Sequence, residues 1–383
     1  MTDFCKTLPT LQRTWSASSL RLLMECPRKY WYRKIRGIRP IQPQDDLDFG
    51  SFLHVGMEAY DRFIVEPSGE TTDVSVVQNA AVIHALRIML HTAGTYATAY
   101  TCRECGHTFE DVPTERLPSV ETPDDCPKCR IDLEQMTKVD ISRSWTPWNP
   151  DNIKKNRRTL VRALVWTLDE FANSHIQPYS NPDGSAATEV DFAVPLPIEN
   201  PDGEPYLLTG IIDSFAQVGG PDQIMPRERK TTNATLGKGF FGRYEFDIQV
   251  DVYSLAMQIM AAEEITPGII LEAVQTGVTF SRARRQIITP SNDQLAEFVE
   301  TLRYWIGQAE GFAREAALQG PEPSAGVAHP WPMNRANCNS YRKEDIEDKM
   351  YSSLVHGGCP YRELCTKDRS VRSRYEAGSY EVA

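Results

Sequence analysis

Two acidic residues and a lysine stand at the ends of two predicted strands. Asp213 follows the apolar residues 207–212. Glu228 begins a Glu-Arg-Lys-Thr sequence at the end of the next predicted strand. Carboxylate oxygens are good ligands for Mg²⁺ or Mn²⁺, and a lysine beside such an ion can orient a water or stabilise charge on a phosphate. Asp213, Glu228 and Lys230 are therefore candidate catalytic residues for phosphodiester hydrolysis. A surface hairpin with a charged edge would show the same pattern.

Four cysteines near the two ends of the chain form a second candidate site, comprising Cys26, Cys338, Cys359 and Cys365. Four thiolates can hold either Zn²⁺ or a [4Fe–4S] cluster, and this spacing is not that of a zinc ribbon, so it favours iron–sulfur. The N-terminus lacks the pattern of a signal peptide. We therefore expect a reducing cytoplasm, where the nine cysteines are interpreted as metal ligands rather than as disulfides.

Two Cys-x-x-Cys pairs in the first half of the chain predict a zinc site. Cys102 and Cys105 form one pair, Cys126 and Cys129 form the other, and the 20 residues 106–125 separate them. Each pair supplies two thiolates at the spacing of a zinc knuckle. The pattern is typical of a small structural zinc module.

Single residues add to the candidate metal site. His54 lies near the start of a predicted helix, where a neutral imidazole could join the carboxylates, although a lone histidine is more often a core residue. Gln249 and Tyr253 are four residues apart on one predicted helix face, which suits either a shared cleft or ordinary packing.

The charge of the chain limits its partners. A net charge of −11 argues against a protein that coats nucleic acid nonspecifically, but local basic clusters are present. Residues 28–34, which include Arg28 and Arg33, interleave basic and aromatic side chains as in grooves that bind single strands. Residues 154–158 and 282–285 fit such a groove or a solvated helix face equally well. No apolar stretch looks long enough to cross a bilayer, so no membrane partner is expected.

The pattern of apolar residues predicts an α/β protein with extra helices. The predicted helices cover residues 16–36, 49–63, 75–98, 152–173, 244–262 and 292–317. The predicted strands cover residues 189–196, 206–218, 223–230, 269–280 and 285–288. We divide the chain into a helical part (1–98), a zinc-ribbon-like insert (99–135), a core (136–320) and a cysteine-containing tail (321–383).

In this order, the motifs together resemble the PD-(D/E)XK superfamily, in particular the RecB-like and AddAB-type iron–sulfur nucleases and the related CRISPR adaptation exonucleases. The matching segments are residues 16–30, 50–54, 210–213, 228–231, 249–253 and 359–365. Glu189 also stands where many members carry a glutamate. The chain departs from the family in the zinc-ribbon insert and in the long gap between Cys338 and Cys359.

The resemblance implies a PD-(D/E)XK core, a mixed sheet flanked by helices, and assigns roles to the candidates. A Mg²⁺ or Mn²⁺ site would be formed by His54, Asp213, Glu228 and the main-chain carbonyl of Arg229, with Lys230 as the catalytic lysine. Gln249 and Tyr253, together with the basic residues Arg28 and Arg33, would bind DNA. The four terminal cysteines would hold a structural [4Fe–4S] cluster.

The expected function is a metal-dependent DNA exonuclease acting on single strands or DNA ends in recombination, repair or replication. A viral or mobile-element origin would place it in the host cytoplasm. The chain has no Gly-x-x-x-x-Gly-Lys-Ser/Thr motif, so any helicase or recombination partner would be a separate protein. The alternatives are a DNA-binding scaffold with a decayed site and a structure-specific endonuclease.

Overall fold

The structure is a computed structural model that carries side chains. It describes residues 4–40, 45–66, 73–93, 96–102, 105, 108–111, 129, 139–145, 152–220, 223–260, 268–320, 327–338, 359–361, 364–365 and 380–382.

The described helices, in chain order, are α1 (Ala17–Glu25), α2 (Pro27–Tyr30), α3 (Asp45–Val65), α4 (Val74–Ala93), α5 (Arg157–Phe171), α6 (Lys238–Gly242), α7 (Ile248–Met260), α8 (Asn292–Gln319) and α9 (Arg335–Cys338). The helix predicted for residues 16–36 is interrupted. Cys26 is extended, at φ −167° and ψ 110°, because the following Pro27 disfavours the helical conformation in the residue before it. A π-helical turn, Trp31–Ile35, continues α2.

Seven strands form the central sheet: β1 (Thr14–Trp15), β6 (Ile176–Pro178), β7 (Thr188–Glu199), β8 (Pro205–Val218), β9 (Ile224–Thr232), β10 (Ile269–Thr276) and β11 (Ser281–Ile288). The long strand β8 pairs with β7 and β6 on one side, and with β1 and β9 on the other. β9 and β10 are parallel, as are β1 and β8, whereas the other pairs are antiparallel. The sheet is therefore mixed, as expected.

Strands β8 and β9 separate partway along their length. Their pairing runs from Gln217 opposite Ile224 to Ser214 opposite Arg227, and it stops there. Farther along, β8 pairs instead with the short parallel strand β1. The next residues on the two strands, Asp213 and Glu228, therefore lie at the point where the strands part.

Helices cover both faces of the sheet. α3, α4 and α5 pack together against one face, where their apolar side chains surround Val274 of β10. α1, α7 and α8 pack on the other face around a larger core that includes Trp15, Leu208 and Leu271. This arrangement confirms the predicted mixed α/β class, with a central sheet flanked by helices.

Helix α4 corrects one sequence-based expectation. At 20 residues it is long and apolar enough, by length and composition, to cross a membrane, whereas the sequence was interpreted as having no such stretch. In this structure its buried residues, Ala81, Ala85, Met89 and Ala93, face the cluster formed with α3 and α5. Val74 and Ile83 are largely exposed.

Two small sheets lie outside the core. β3 (Tyr96–Cys102), β4 (Thr108–Asp111) and β5 (Val139–Trp145) form an antiparallel sheet around the predicted zinc insert, with β3 in the centre. The predicted helix 75–98 therefore stops at Ala93. β2 (Ile38–Pro40) pairs antiparallel with β12 (Tyr380–Val382), so the C-terminal end of the chain is joined to its N-terminal region.

Candidate active site

The two candidate carboxylates lie inside their strands, where β8 and β9 diverge. The sequence pattern predicts Asp213 and Glu228 at strand ends, but both strands continue for several residues beyond the last paired residues. The main-chain N–H of Arg229 donates a hydrogen bond to Oδ2 of Asp213 at 2.8 Å. This bond holds the Asp213 carboxylate against β9 although the regular pairing of the two strands has ended.

A chain of hydrogen bonds positions Lys230. Its Nζ donates to Oε1 of Glu228 at 2.5 Å and to Oε1 of Gln249 at 2.8 Å. Gln249 in turn donates through Nε2 to the Tyr253 hydroxyl at 2.9 Å, and that hydroxyl donates to the carbonyl of Ile211 at 2.6 Å. Because Gln249 and Tyr253 lie one turn apart on α7, this helix fixes the lysine relative to β8.

Burial controls the ionisation of this group. It raises the pKa of Glu228 to about 7; the negative charge of Asp213 acts in the same direction, whereas Lys230 opposes it. Burial alone would lower the pKa of Lys230, but the carboxylates of Glu228 and Asp213 outweigh it and leave that pKa raised. Lys230 is therefore a charged donor and not a proton acceptor.

His54 of α3 lies beside Asp213 and strand β9. Gly50 brings the helix close to β9, since an added Cβ there would lie 3.2 Å from Oγ1 of Thr231. Nε2 of His54 is 3.0 Å from the Arg229 carbonyl oxygen, and Nδ1 is 3.5 Å from Oδ2 of Asp213. Burial lowers the pKa of His54, which favours the neutral ring. Donation from Nε2 to the carbonyl then leaves the Nδ1 lone pair facing the carboxylate.

These donors fit a divalent cation. The Nδ1 lone pair of His54 and the Asp213 oxygen face each other, and Oε2 of Glu228 is buried without a hydrogen-bond partner. Carboxylate oxygens and the unprotonated nitrogen of a neutral imidazole are ligands that Mg²⁺ or Mn²⁺ can bind. No group of three or more His, Cys, Asp or Glu side chains is already gathered for metal binding in the described part of the chain.

Glu189 adds a further carboxylate. It lies on β7 between the residues paired with Ser214 and Ile212 of β8, and its φ of 49° is the one positive value among the described non-glycine residues. Burial raises the pKa of Glu189, and the charges of Asp213 and Glu58 add to this effect. A residue held in this sparsely populated conformation beside the acidic pair is consistent with a functional position.

The opposite side of β9 carries a buried ion network that sequence reasoning missed. Arg227 and Arg229 both donate to Oδ2 of Asp61 on α3, at 2.5 Å each, and Arg229 also donates to Glu272 at 3.1 Å. Arg285 of β11 donates to the other Glu272 oxygen at 2.5 Å. The two arginines in alternate positions of Arg227-Glu228-Arg229-Lys230 were the signal that could have revealed it, because alternate side chains on a strand face the same side.

Residues 331–334 of the tail pack against the first helices. The main-chain N–H of Asn334 lies 3.4 Å from Sγ of buried Cys26. Arg28 donates through Nε to the Trp331 carbonyl at 2.7 Å and is itself buried, so it belongs to this junction and not to an open DNA-binding surface. Arg33 is half-buried in the π-helical turn.

The cysteine sites are only partly described. Cys359 and Cys365 pack beside the larger core, but the side chain of Cys338 lies outside the described residues, so the iron–sulfur site stays a prediction. Of the zinc cysteines, Cys105 is half-buried and Cys129 is exposed. Cys126 and the side chain of Cys102 lie outside the described residues, and no zinc site is shown.

Comparison with known proteins identifies the family. The model of the PD-(D/E)XK nuclease superfamily matches residues 14–366. The chain belongs to the PD-(D/E)XK nuclease superfamily. Nucleases of this superfamily typically use Mg²⁺ or Mn²⁺. The AddAB-type iron–sulfur subtype is a finer assignment that this match does not make.

Other comparisons add little. No curated protein matches the chain significantly. Seven chains of known structure match, among them one titled "Crystal structure of SSO0001", which is 18% identical over 38% of this chain, with a TM-score of 0.21. The match covers 61% of the length of that protein. At that TM-score the likeness carries no argument about structure or function.

Proposed function

We propose that this protein is a Mg²⁺- or Mn²⁺-dependent deoxyribonuclease that degrades single-stranded DNA or DNA ends during recombination, repair or replication, in the cytoplasm. The proposal is supported above all by the junction of β8 and β9. There, Asp213, Glu228 and Lys230 meet, and Oε2 of Glu228 is buried without a partner. A decayed site would have no physical reason to keep a buried, unsatisfied carboxylate oxygen, which is costly to bury.

Each residue has a distinct part in the proposed mechanism. His54, Asp213 and Glu228 would hold the cation, which supplies Lewis-acid stabilisation of charge on the phosphate when bound. The Arg229 carbonyl, predicted as a further ligand, accepts from Nε2 of His54 in this structure and so orients that ring. Lys230, fixed by two acceptors, orients the attacking water and offsets negative charge. Gln249 and Tyr253 act through Lys230, because their hydrogen bonds end on it and on Ile211.

The first prediction concerns the catalytic residues. We expect Asp213→Ala and Lys230→Ala each to lower kcat on labelled single-stranded DNA by at least about 100-fold, the size of effect seen when one charge-stabilising group is removed. Lys6→Ala, which removes an exposed lysine, is the matched control and should leave cleavage unchanged. Wild-type cleavage rates in both active-site variants would refute the assignment.

Two further measurements refine the proposal. An end-labelled digestion series in Mg²⁺ and in Mn²⁺ gives polarity and metal preference together. Covalently closed single-stranded circles should resist an exonuclease, so their cleavage would favour the structure-specific endonuclease instead. Neither measurement depends on whether a helicase or recombination partner is present.

The terminal cysteines are proposed to hold a structural [4Fe–4S] cluster, and the internal pairs Zn²⁺. Protein purified without oxygen should be brown and should contain iron, and Cys26→Ser should lose the iron while Cys5→Ser, a change of another buried cysteine, keeps it. Colourless protein that contains only zinc would refute the iron–sulfur proposal. Because the cluster is structural, its test does not bear on the catalytic residues.

A further inference from the structure

Two segments without acidic residues meet on one face of the central sheet. The chain has 52 acidic and 41 basic residues, yet residues 229–244 and 273–292 contain neither Asp nor Glu. The exposed basic side chains of the two segments form a surface that we term the basic arc, and its members are Lys238, Arg243, Arg282 and Arg284. A local surface of positive charge on a protein of negative net charge attracts an anionic partner.

The register of the strands places the two arginines of β11 beside the candidate active site. Arg284 is opposite Ala273 of β10, and Ala273 is opposite Lys230 of β9, so the three residues form one row across the sheet. Paired residues project on the same face, and neighbouring strands are about 4.8 Å apart, so the α-carbons of Arg284 and Lys230 lie roughly 10 Å apart. Arg282 is in the next row on that face, roughly 7 Å farther along β11.

The side chains of β11 alternate between a covered face and an open one. Ser281 and Ala283 are buried on the side of α5, and Ser281 accepts a hydrogen bond from Arg162 of that helix. Arg282 and Arg284 are exposed on the opposite side. Because β11 is the last of the described strands in the sheet order, a ligand as long as a DNA strand can reach both guanidiniums at this border.

The two β11 arginines are held in place by the protein itself. Arg284 donates through Nη1 to the Leu236 carbonyl at 2.9 Å, which joins β11 to the residues that lead into α6. The Arg282 guanidinium lies 5.1 Å from the centre of the Phe280 ring. A guanidinium carries five N–H donors, so Arg284 keeps donors for a phosphate beyond the one that bonds to the main chain.

Helix α6 carries the other half of the basic arc towards the candidate active site. Lys238 begins this helix, and Arg243 follows its last residue. The Arg243 guanidinium lies 4.3 Å from the centre of the Phe240 ring, and it donates to the Tyr244 hydroxyl at 3.2 Å. Tyr244 is among the groups that raise the pKa of Lys230, so this end of α6 is close to that lysine.

Acidic residues border the basic arc and set its limits. Asp169 and Glu170 of α5 line a cavity beside the β11 arginines, and the exposed Glu245 follows Tyr244. Like charges repel, so a polyanion is directed to the surface between these acids. That surface includes the exposed, uncharged residues 233–235, which connect β9 to α6.

The other basic cluster singled out in the sequence, residues 154–158, is less suited to a polyanion. Lys155 is buried, with its ammonium 5.8 Å from the centre of the Phe49 ring of α3. The first turn of α3, residues 45–48, contains three aspartates, which offset positive charge nearby. This cluster also precedes and begins α5, on the face of the sheet opposite to the basic arc.

We propose that the basic arc binds the phosphate backbone of single-stranded DNA next to the scissile phosphate. A strand with one phosphate at Lys230 places its neighbouring phosphates over residues 233–235 and on Arg282 and Arg284. This inference rests on the proposed function, since it takes the anionic partner to be the substrate of the nuclease. The basic arc replaces the DNA-binding surface expected at residues 28–34, because Arg28 is buried.

The salt dependence of DNA binding tests the basic arc. The Kd of a short fluorescein-labelled polythymidine is measured by anisotropy over a series of salt concentrations, in an Asp213→Ala background without added divalent cations. We expect Arg282→Gln/Arg284→Gln to reduce the slope of log Kd against log salt concentration by about 1.4, since each phosphate contact of a single strand contributes about 0.7. At low salt the Kd should rise at least about tenfold, because charge-assisted hydrogen bonds are lost.

Two double variants serve as controls. Lys154→Gln/Arg158→Gln removes the same charge from exposed positions beside and on α5, and it should leave the slope unchanged. Arg282→Lys/Arg284→Lys keeps the charge and should retain most of the slope. An equal loss of slope in the Lys154→Gln/Arg158→Gln protein would mean that net charge alone sets the affinity, and it would overturn the basic arc. A raised Kd with an unchanged slope in Arg282→Gln/Arg284→Gln would overturn it as well, since that result indicates a structural effect.

Cleavage kinetics give a second readout. In otherwise wild-type protein with Mg²⁺, Arg282→Gln/Arg284→Gln should raise KM on polythymidine about tenfold and lower kcat by less than about twofold, because the basic arc contacts DNA away from the reacting atoms. A lower kcat with an unchanged KM would contradict this position. A change of slope with blunt duplex DNA but none with polythymidine would mean that the single-strand assignment is wrong.

The two proposals can fail separately. Wild-type protein that binds polythymidine with the expected slope but does not cut it would count against the proposed function alone. Protein that cuts DNA, and whose slope is the same with and without Arg282 and Arg284, would count against the basic arc alone.

Discussion

At the scale of single residues, strand β9 of the candidate site has two differently charged faces. Glu228 and Lys230 face the cleft, whereas Arg227 and Arg229 face α3. Burial would raise the pKa of Glu272, but the neighbouring guanidiniums of Arg227, Arg229 and Arg285 lower it to about 2. This ionised, hydrogen-bonded network holds β9 in register beneath the candidate active site.

Loss of one partner should therefore be costly. We expect Asp61→Ala to lower the free energy of unfolding by about 3–5 kcal/mol, since it leaves two buried guanidiniums without their shared carboxylate. Glu58→Ala on the same helix removes only a partly exposed pair with Arg62 and should cost less than about 1 kcal/mol. Urea denaturation measures both, and equal effects would contradict the role given to the network.

At the scale of elements, the close packing of α7 on β8 requires a glycine. A Cβ at Gly210 would lie 2.6 Å from the ring of Phe192, which packs edge-on against Tyr253 at 5.9 Å. Gly210 is part of the Gly-Ile-Ile-Asp sequence that leads to Asp213. The small residue thus allows an aromatic pair to lie between the strand and the helix that positions Lys230.

Gly210→Ala tests this packing. We expect it to cost about 1–3 kcal/mol of stability, as overpacked sites do, and to lower kcat because Tyr253 must move. Gly307→Ala is the control; it lies within α8 with no atom near the added Cβ and should stabilise the protein by up to about 1 kcal/mol. Thermal denaturation and the DNA cleavage assay give the two results. Unaltered kcat and stability in Gly210→Ala would contradict the packing argument.

A buried acid in α7 makes stability depend on pH. Burial raises the pKa of Asp251 from its ordinary 3.8 to about 6, and Asp247 adds to this while Gln294 opposes it. Because the folded-state pKa is the higher one, ionisation is harder in the fold, and stability is lost as the pH rises from about 4 to above 6.

Asp251→Asn should remove this dependence. We expect the variant to be more stable than the wild type at pH 8, by about 1 kcal/mol since solvent reduces the full effect, and to show no such gain at pH 4. Asp191→Asn, at an exposed position, is the control and should change little at either pH. A gain of the same size at both pH values would mean that charge is not the cause.

At the scale of the whole molecule, both ends of the chain meet beside the core. Trp331 lies with its ring 5.4 Å from Tyr30 and 5.5 Å from Phe312, and Tyr361 stacks on Tyr32 at 5.3 Å. The Tyr361 hydroxyl donates to the carbonyl of Ile38. Aromatic packing, main-chain hydrogen bonds and the pairing of β2 with β12 thus join the tail to the first helices.

Trp331→Ala should loosen this junction. The side chain is fully buried, so we expect a loss of about 3–5 kcal/mol in unfolding free energy and faster proteolysis of the tail. The exposed Tyr304→Ala should stay within about 0.5 kcal/mol of the wild type. If the tail of Trp331→Ala resists protease as the wild type does, the junction does not depend on this ring.

The sequence by itself determined the class of the fold and most of the candidate site. Alternating and periodic apolar residues predicted strands β7 to β10 and helices α5, α7 and α8, because burial of one face repeats at the period of the element. Asp213, Glu228, Lys230, His54 and Gln249 were all named from residue type and spacing. The zinc and iron–sulfur cysteines remain predictions.

Only the tertiary structure decided how these residues meet. The divergence of β8 and β9, the switch of β8 to the parallel strand β1, and the contact of Asp61 with Arg227 join residues far apart in sequence. The local sequence pattern does not specify which strands pair, or which buried charged side chains contact one another. Those choices follow from the free energy of packing the whole chain, in which each buried polar group must find a partner.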